Sequence, residues 1–189
     1  MRRLITILII LLPHFLIAQV VATHADSLAY HRKAEDSIVR HDRLDTAFFK
    51  NLPPKPDAWI TDYTNTLSFE QNTLLESKLD SFNKEGTGQL TVVIIKSIGD
   101  YEIMIYGRRL GNYWSVGHKG KDDGVLVLIA LDDRKMAILT GIGIEKVLTD
   151  KTCHNIIQTD FIPSFKLGDY YEGVDTGLSD IMKYISASK

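Results

Sequence analysis

The sequence GVLVLIALDDRKMAILT, residues 124–140, consists of two apolar runs separated by the polar turn Asp132-Asp133-Arg134. A short, continuous run of aliphatic residues is typical of a strand that is buried on both faces. Two such runs with so few turn residues between them predict an antiparallel β-hairpin. We therefore expect residues 124–131 and 135–140 to form two paired strands of one sheet.

A further strand and the helix before it are predicted upstream of this hairpin. Residues 89–96, QLTVVIIK, form another nearly continuous β-branched run, which predicts a buried strand. Ser68 and Gln71 have the spacing of a capping box, so a helix is expected to begin there and to end before Gly86. Its inward-facing residues share one helical face: Leu75, Leu79 and Phe82.

A second helix is predicted between the strands at 89–96 and 124–131. Helical spacing relates a set of large apolar residues: Ile103, Tyr106, Leu110, Tyr113 and Trp114. Because a helix connects the two strands, we expect them to be parallel, with a right-handed crossover.

Two helices are predicted after the hairpin. Asp150 is expected to cap the first, which Pro163 should kink or end. Asp169 and Glu172 have the capping spacing for the second. Helices on both faces of a mixed sheet with a β-hairpin predict an α/β fold, a three-layer α/β/α sandwich.

The first 22 residues have the pattern of a secretory signal peptide. Arg2 and Arg3 precede an apolar run, residues 4–12, and candidate cleavage sites follow Ala18 and Ala22. We therefore expect export to the periplasm or secretion. An uncleaved membrane anchor is the alternative, but the run is shorter than the roughly 20 apolar residues that span a bilayer.

The remainder of the 189-residue chain is long enough for one domain. We interpret residues 23–52 as a helical or partly ordered arm, because charged residues and histidines alternate there with scattered apolar residues. Residues 53–57 contain three prolines, which restrict the backbone to extended conformations and predict a linker. The folded domain is then expected over residues 58–186.

Charge, glycine pattern and cysteine content exclude several classes of function. The net charge is −2 and basic residues are not clustered, so no nucleic-acid partner is expected. Gly141-Ile142-Gly143 lacks the third glycine of a dinucleotide fingerprint, so no nucleotide cofactor is expected. The single cysteine, Cys153, cannot form an internal disulfide and is interpreted as an inert helix residue.

Several short motifs share an order and spacing that resemble the TPM domain family. They are Asp62-Tyr63, Tyr113-Trp114-Ser115-Val116-Gly117, Gly120-Lys121-Asp122-Asp123-Gly124-Val125-Leu126, Asp132-Asp133-Arg134-Lys135, Gly141-Ile142-Gly143, Leu148-Thr149-Asp150, Ile162-Pro163-Ser164-Phe165 and Gly168-Asp169-Tyr170. The resemblance implies a Rossmann-like α/β/α sandwich. It leaves function open, since a plant thylakoid member is linked to acid phosphatase activity and photosystem repair, some members bind calcium, and an animal member accompanies ion-channel receptors.

The acidic residues before residues 124–131 and after residues 135–140 are candidates for a metal site. Asp122 and Asp123 precede Gly124, and the expected hairpin brings them toward Glu145 and Asp150. Hard cations take six to eight oxygen ligands, so we predict a divalent-cation site, with calcium favoured over magnesium. The alternative is that these acids are solvated turn residues and a helix cap. Trp114 is a candidate wall of the same crevice.

Other acids are expected at the opposite edge of the sheet. Asp132 and Asp133 are interpreted as hairpin-turn residues, whose side chains hydrogen-bond the backbone nearby. Asp62 is a candidate for a second metal site.

Three functions remain open from the sequence. The first is a metal-binding module that engages an unknown envelope protein or membrane component. The second is a metal-assisted acid phosphatase, in which Lys119 and Lys121 would supply positive charge. The third is a structural or assembly protein without a metal.

Overall fold

The computed structural model describes residues 52–187. The predicted signal peptide, residues 1–22, lies outside the described residues, and so does the predicted arm apart from Leu52. Both therefore stay predictions. Within the described part of the chain, no helix combines the length and the apolar character needed to cross a membrane.

Strands and helices alternate up to the third strand, the third and fourth strands follow one another directly, and the remaining elements are helical. The strands are β1 (Ile60–Asp62), β2 (Gln89–Ile95), β3 (Gly124–Ala130) and β4 (Lys135–Thr140). The helices are α1 (Phe69–Lys84), α2 (Ile103–Trp114), α3 (Asp150–Ile156), α4 (Ile162–Lys166) and α5 (Tyr170–Ser186), and a π-helical turn (Ile157–Phe161) joins α3 to α4.

The four strands form one mixed sheet in the order β1-β2-β3-β4. β2 and β3 are parallel, and β3 and β4 form the antiparallel hairpin, with Leu128 opposite Ala137. Both predictions are confirmed. The sequence analysis missed β1, which pairs in parallel with β2, because its three residues are too few to show a periodic pattern.

Two hydrophobic cores lie on opposite faces of the sheet, and together they make the three layers. On one face, α1, α3, α4 and α5 pack against the alternate strand residues Val92, Ile94, Val125, Val127 and Ile129. On the other face, α2 packs against Val93, Ile95, Leu126, Leu128 and Ala130. The predicted α/β sandwich with a mixed sheet is therefore confirmed.

The buried residues of α2 differ from the expected ones at Tyr113, which is exposed, and at Gly107 and Arg109, which are buried. Tyr113 is 50% exposed, although its spacing suggested burial, whereas Trp114 is buried. Gly107 takes the inward position, and a Cβ there would lie 2.7 Å from Cδ2 of Leu139. The helix therefore approaches the sheet closely at this glycine.

The helical run after the hairpin continues through Pro163 rather than ending there. The π-helical turn precedes the proline, and the amide of Ile162 donates to the carbonyl of Ile157, five residues earlier. Such a turn redirects the backbone bonds near a residue that has no N–H to donate. At the start of α3, Thr149 rather than Asp150 is the cap, since its side chain accepts from the amide of Thr152.

The contact between α5 and the π-helical turn generates a stability prediction. A Cβ at Gly177 would lie 2.0 Å from Cε2 of Phe161, a ring that is fully buried. Gly177→Ala should therefore lower the free energy of unfolding by about 2–3 kcal/mol, measured by urea denaturation, because neighbouring groups must move apart.

Gly111→Ala in α2 is the matched control. Its Cβ would meet Cδ2 of Leu126 at 3.6 Å, which is an ordinary contact. Alanine also favours a helix over glycine by up to about 1 kcal/mol, so no loss of stability is expected. Equal effects of the two substitutions would contradict this account of the α5 contact.

Candidate functional site

Two loops meet at the edge of the sheet where β2 and β3 begin and β4 ends. The amide of Gly141 donates to the carbonyl of Gly124 at 2.8 Å, and the amide of Gly143 donates to the carbonyl of Asp122 at 2.9 Å. The loop of residues 115–123 therefore lies against the loop of residues 141–149. We call this region the acidic loop edge.

Glycine is required where the two loops cross. A Cβ on Gly143 would lie 2.0 Å from the carbonyl oxygen of Lys121, and one on Gly141 would lie 2.2 Å from that of Asp122. Backbone atoms cannot yield at such distances, so any side chain would separate the loops. The glycines that resembled a nucleotide fingerprint thus serve a backbone contact.

Asp123 is tied to His118 within the same loop. Its side chain is 10% exposed and accepts a 2.8 Å hydrogen bond from the amide of His118, and ring atom Nδ1 lies 3.0 and 3.1 Å from its two oxygens. Burial by itself raises the pKa of the Asp123 carboxyl, but the hydrogen bonds and charge of His118 outweigh it and lower the pKa below 3.8. The carboxylate of Asp123 therefore stabilises its own loop through His118, independently of any metal.

The other predicted ligands are exposed on the two loops. Asp122 has a positive φ of 50°, and Glu145 and Asp150 lie on the segment that follows β4. Over residues 52–187, no three His, Cys, Asp or Glu side chains are grouped closely enough to hold a metal ion. The structure thus brings the loops together without bringing their carboxylates into one cluster.

The acids at the opposite edge are engaged in local hydrogen bonds. Oδ1 of Asp62 accepts from the amide of Thr64 and Oδ2 from the amide of Leu67, both at 2.8 Å. The two oxygens of Asp133 accept from the hydroxyl of Ser97 and the amide of Ile98. Asp62, the second-site candidate, therefore lies apart from Asp122 and stabilises its own turn.

Cys153 is unsuited to nucleophilic chemistry. Its thiol is buried on α3, and burial first, then the charge of Asp150, raises its pKa to about 12. A thiol with this pKa is almost entirely protonated near neutral pH, whereas the thiolate is the reactive form.

Residues 52–57 cross the α2 face of the domain, and we call them the strap. Nε1 of Trp114 donates to the carbonyl of Pro53 at 2.9 Å, and the hydroxyl of Tyr63 donates to that of Pro54 at 3.2 Å. Leu52 joins the core beneath. A cavity of about 230 Å³ lies under the second half of the strap; its walls include Lys55, Pro56, Gln89, Thr91, Trp114 and Val116.

Sequence reasoning missed the pairing of His118 with Asp123 and the strap's hydrogen bonds. His118 showed no paired spacing with another histidine, and the pairing depends on a loop whose path the sequence does not reveal. The clustered prolines and Trp114 were noticed separately. Their 61-residue separation gave no sign that they touch.

The His118 pairing predicts how stability depends on pH. The pKa of Asp123 is lower in the folded state, so its stabilisation is complete above about pH 4 and is lost as pH falls through the folded-state value. Asp123→Asn should lower the free energy of unfolding by about 1–2 kcal/mol at pH 7. The difference from the unsubstituted protein should shrink toward pH 3 in urea denaturation.

Asp122→Asn is the matched control, because Asp122 is exposed and asparagine tolerates a positive φ. We expect it to change stability by less than about 0.5 kcal/mol at any of these pH values. A constant difference between Asp123→Asn and the unsubstituted protein from pH 7 to pH 3 would contradict the assigned ion pair.

Comparison with known proteins places this geometry in a family. Three solved NMR structures have a similar fold. The N-terminal domain of a P. gingivalis protein is 29% identical with a TM-score of 0.64, and the match covers 69% of this chain and 83% of that one. The N-terminal domain of cg2496 from Corynebacterium glutamicum is 16% identical with a TM-score of 0.53 (74% of this chain and 85% of that one), and BA42 from the psychrophilic bacterium Bizionia argentinensis is 16% identical with a TM-score of 0.58 (66% of this chain and 85% of that one). A comparison with curated proteins gave no match. The family model for the TPM domain matches residues 60–184, and the chain therefore belongs to the TPM domain family.

Proposed function

We propose that this TPM-domain protein is an exported binding module without catalytic activity, which binds a divalent cation at the acidic loop edge and engages an envelope protein or membrane component. Calcium is favoured over magnesium, because flexible, mixed oxygen ligands suit the larger ion. The proposed export rests on the signal-like sequence of residues 1–22.

One observation carries the cation proposal: the carboxylate of Asp122 projects from a backbone that is fixed. Its carbonyl accepts from the amide of Gly143, and the backbone of Gly141 and Gly143 passes close to the carbonyl oxygens of Asp122 and Lys121. Its side chain is exposed and makes no hydrogen bond to any of residues 52–187. Asp122 could therefore bind an ion without first breaking a stabilising contact.

The remaining ligands fit a hard cation in chemistry but require movement. Glu145 and Asp150 supply carboxylate oxygens from the neighbouring loop and helix start, and both are exposed. Asp123 is less suitable, because binding an ion would compete with its bonds to His118. We therefore assign the site to Asp122, Glu145 and Asp150, completed by backbone carbonyls or water.

The absence of catalysis is proposed because the reactive groups at this edge are already engaged or protonated. The carboxylate of Asp123 accepts from the amide of His118 and lies against its ring Nδ1, so this carboxylate is not available as a general base. Cys153 is buried with a raised pKa. Lys119 and Lys121 are exposed and carry positive charge, but phosphoryl transfer also needs an activated nucleophile.

The test is thermal unfolding of the full chain, stripped of metal and then titrated with calcium and with magnesium. A ligand that binds only the folded state raises its stability by about 2.7 kcal/mol at 100 times the dissociation constant. We expect a saturable rise in melting temperature with calcium and a smaller rise with magnesium. Asp122→Asn should abolish the rise while leaving the metal-free melting temperature unchanged.

Asp132→Asn, in the hairpin turn at the opposite edge, is the control and should retain the full response to calcium. A response that Asp122→Asn retains, or no response to either ion, would reject the cation site. The proposal of a non-catalytic module would be rejected if the protein hydrolysed p-nitrophenyl phosphate and Asp122→Asn abolished this activity.

A further inference from the structure

The strap has a proline-rich sequence that favours the polyproline II conformation, and it lies against a groove of the domain. Each proline fixes its own φ and keeps the preceding residue extended, so the backbone is confined to this conformation. Polyproline II has three residues per turn, which places Pro53 and Pro56 on one face. Both are partly buried against the domain, whereas Pro54 and Lys55 between them are exposed.

The groove contacts the strap as aromatic grooves contact proline-rich peptides in general. Prolines offer no amide hydrogen, so such peptides are recognised by donors that reach their carbonyls and by flat aromatic surfaces. Trp114 and Tyr63 provide such donors, through the indole N–H to the carbonyl of Pro53 and the hydroxyl to the carbonyl of Pro54. The two donors come from separate elements, the end of α2 and the residue after β1.

The strap does not fill the groove. The cavity of about 230 Å³ lies under its second half, between Pro56 and Gln89. Oε1 of Gln89 accepts from the amide of Gly117, and its Nε2 has no hydrogen-bond partner among residues 52–187. A donor therefore remains available beside space that a bulkier segment could occupy.

We propose that this groove is a docking site for an extended, proline-containing segment of another protein, and that the strap is a resident ligand that covers it. Among residues 52–187, two side-chain hydrogen bonds and the buried side chain of Leu52 hold the strap. Apart from Leu52, the buried residues of both main cores lie within residues 60–185. The strap can therefore leave while the domain stays folded, and a segment that also fills the cavity displaces it.

The experiment uses the full chain and a fluorescein-labelled peptide with the sequence of residues 50–58. The tethered strap competes at a high effective concentration, so the unsubstituted protein should bind the peptide weakly. Pro53→Gly combined with Pro56→Gly in the protein weakens this competitor. Fluorescence polarisation should then show binding at least about tenfold tighter.

The groove variants identify where the peptide binds. In the strap-weakened protein, Trp114→Phe keeps an aromatic ring but removes the N–H donor, and it should weaken peptide binding about tenfold. Tyr63→Phe removes an exposed hydroxyl at little risk to folding and should also weaken binding. Tyr113→Phe is the matched control and should have no effect, since Tyr113 makes no hydrogen bond to the strap.

Three results would overturn the proposal. They are absence of peptide binding to the strap-weakened protein, binding that neither Trp114→Phe nor Tyr63→Phe changes, and equal binding of a peptide in which glycine replaces its prolines. Loss of folding in the strap-weakened protein, seen by circular dichroism, would also overturn it, since a strap required for folding is not a displaceable ligand. The assay contains EDTA, so its outcome is independent of the cation site.

Discussion

The burial of β3 on both faces is the constraint on which the other elements depend. Every residue of β3 is buried, and the strand is hydrogen-bonded to β2 on one side and β4 on the other. Its alternate side chains supply one core with Val125 and Val127 and the other with Leu126 and Leu128. Because neither face of β3 can be exposed to water, helices must cover both faces. The paths of the loops at its ends are then limited by the positions of these helices.

Sequence patterns therefore predicted the strands and helices that pack against β3. They did not predict features that depend on a hydrogen bond from one particular side chain. Residues 124–140 predict a hairpin because the two apolar runs are long and the turn between them is short. β1 depends instead on Glu76, whose carboxylate accepts from the amides of Trp59 and Ile60. The acidic loop edge could be predicted from strand direction. The pairing of Asp123 with His118 could not, because it depends on a loop with four positive φ angles and no regular period.

The two edges of the sheet differ in how many of their acidic side chains already accept hydrogen bonds within the domain. Open α/β sheets commonly bind ligands beyond the carboxyl ends of their parallel strands. Here that edge carries Asp62, which accepts hydrogen bonds from its own turn, and Asp133, which accepts from Ser97 and Ile98 after β2. The amino ends carry Asp122 on a fixed backbone, and the strap groove opens near Gln89, the first residue of β2. The groups free to meet a ligand therefore lie at the less usual edge.

The hydrogen bonds of Glu76 also affect how the edge of the sheet can interact with other chains. An edge strand with open amides is a template onto which another chain can add, and this is a common route to aggregation. By occupying the amides of Trp59 and Ile60, the carboxylate on α1 leaves little of β1 for a second molecule to copy. The short first strand is thus both a member of the sheet and the place where the sheet stops growing.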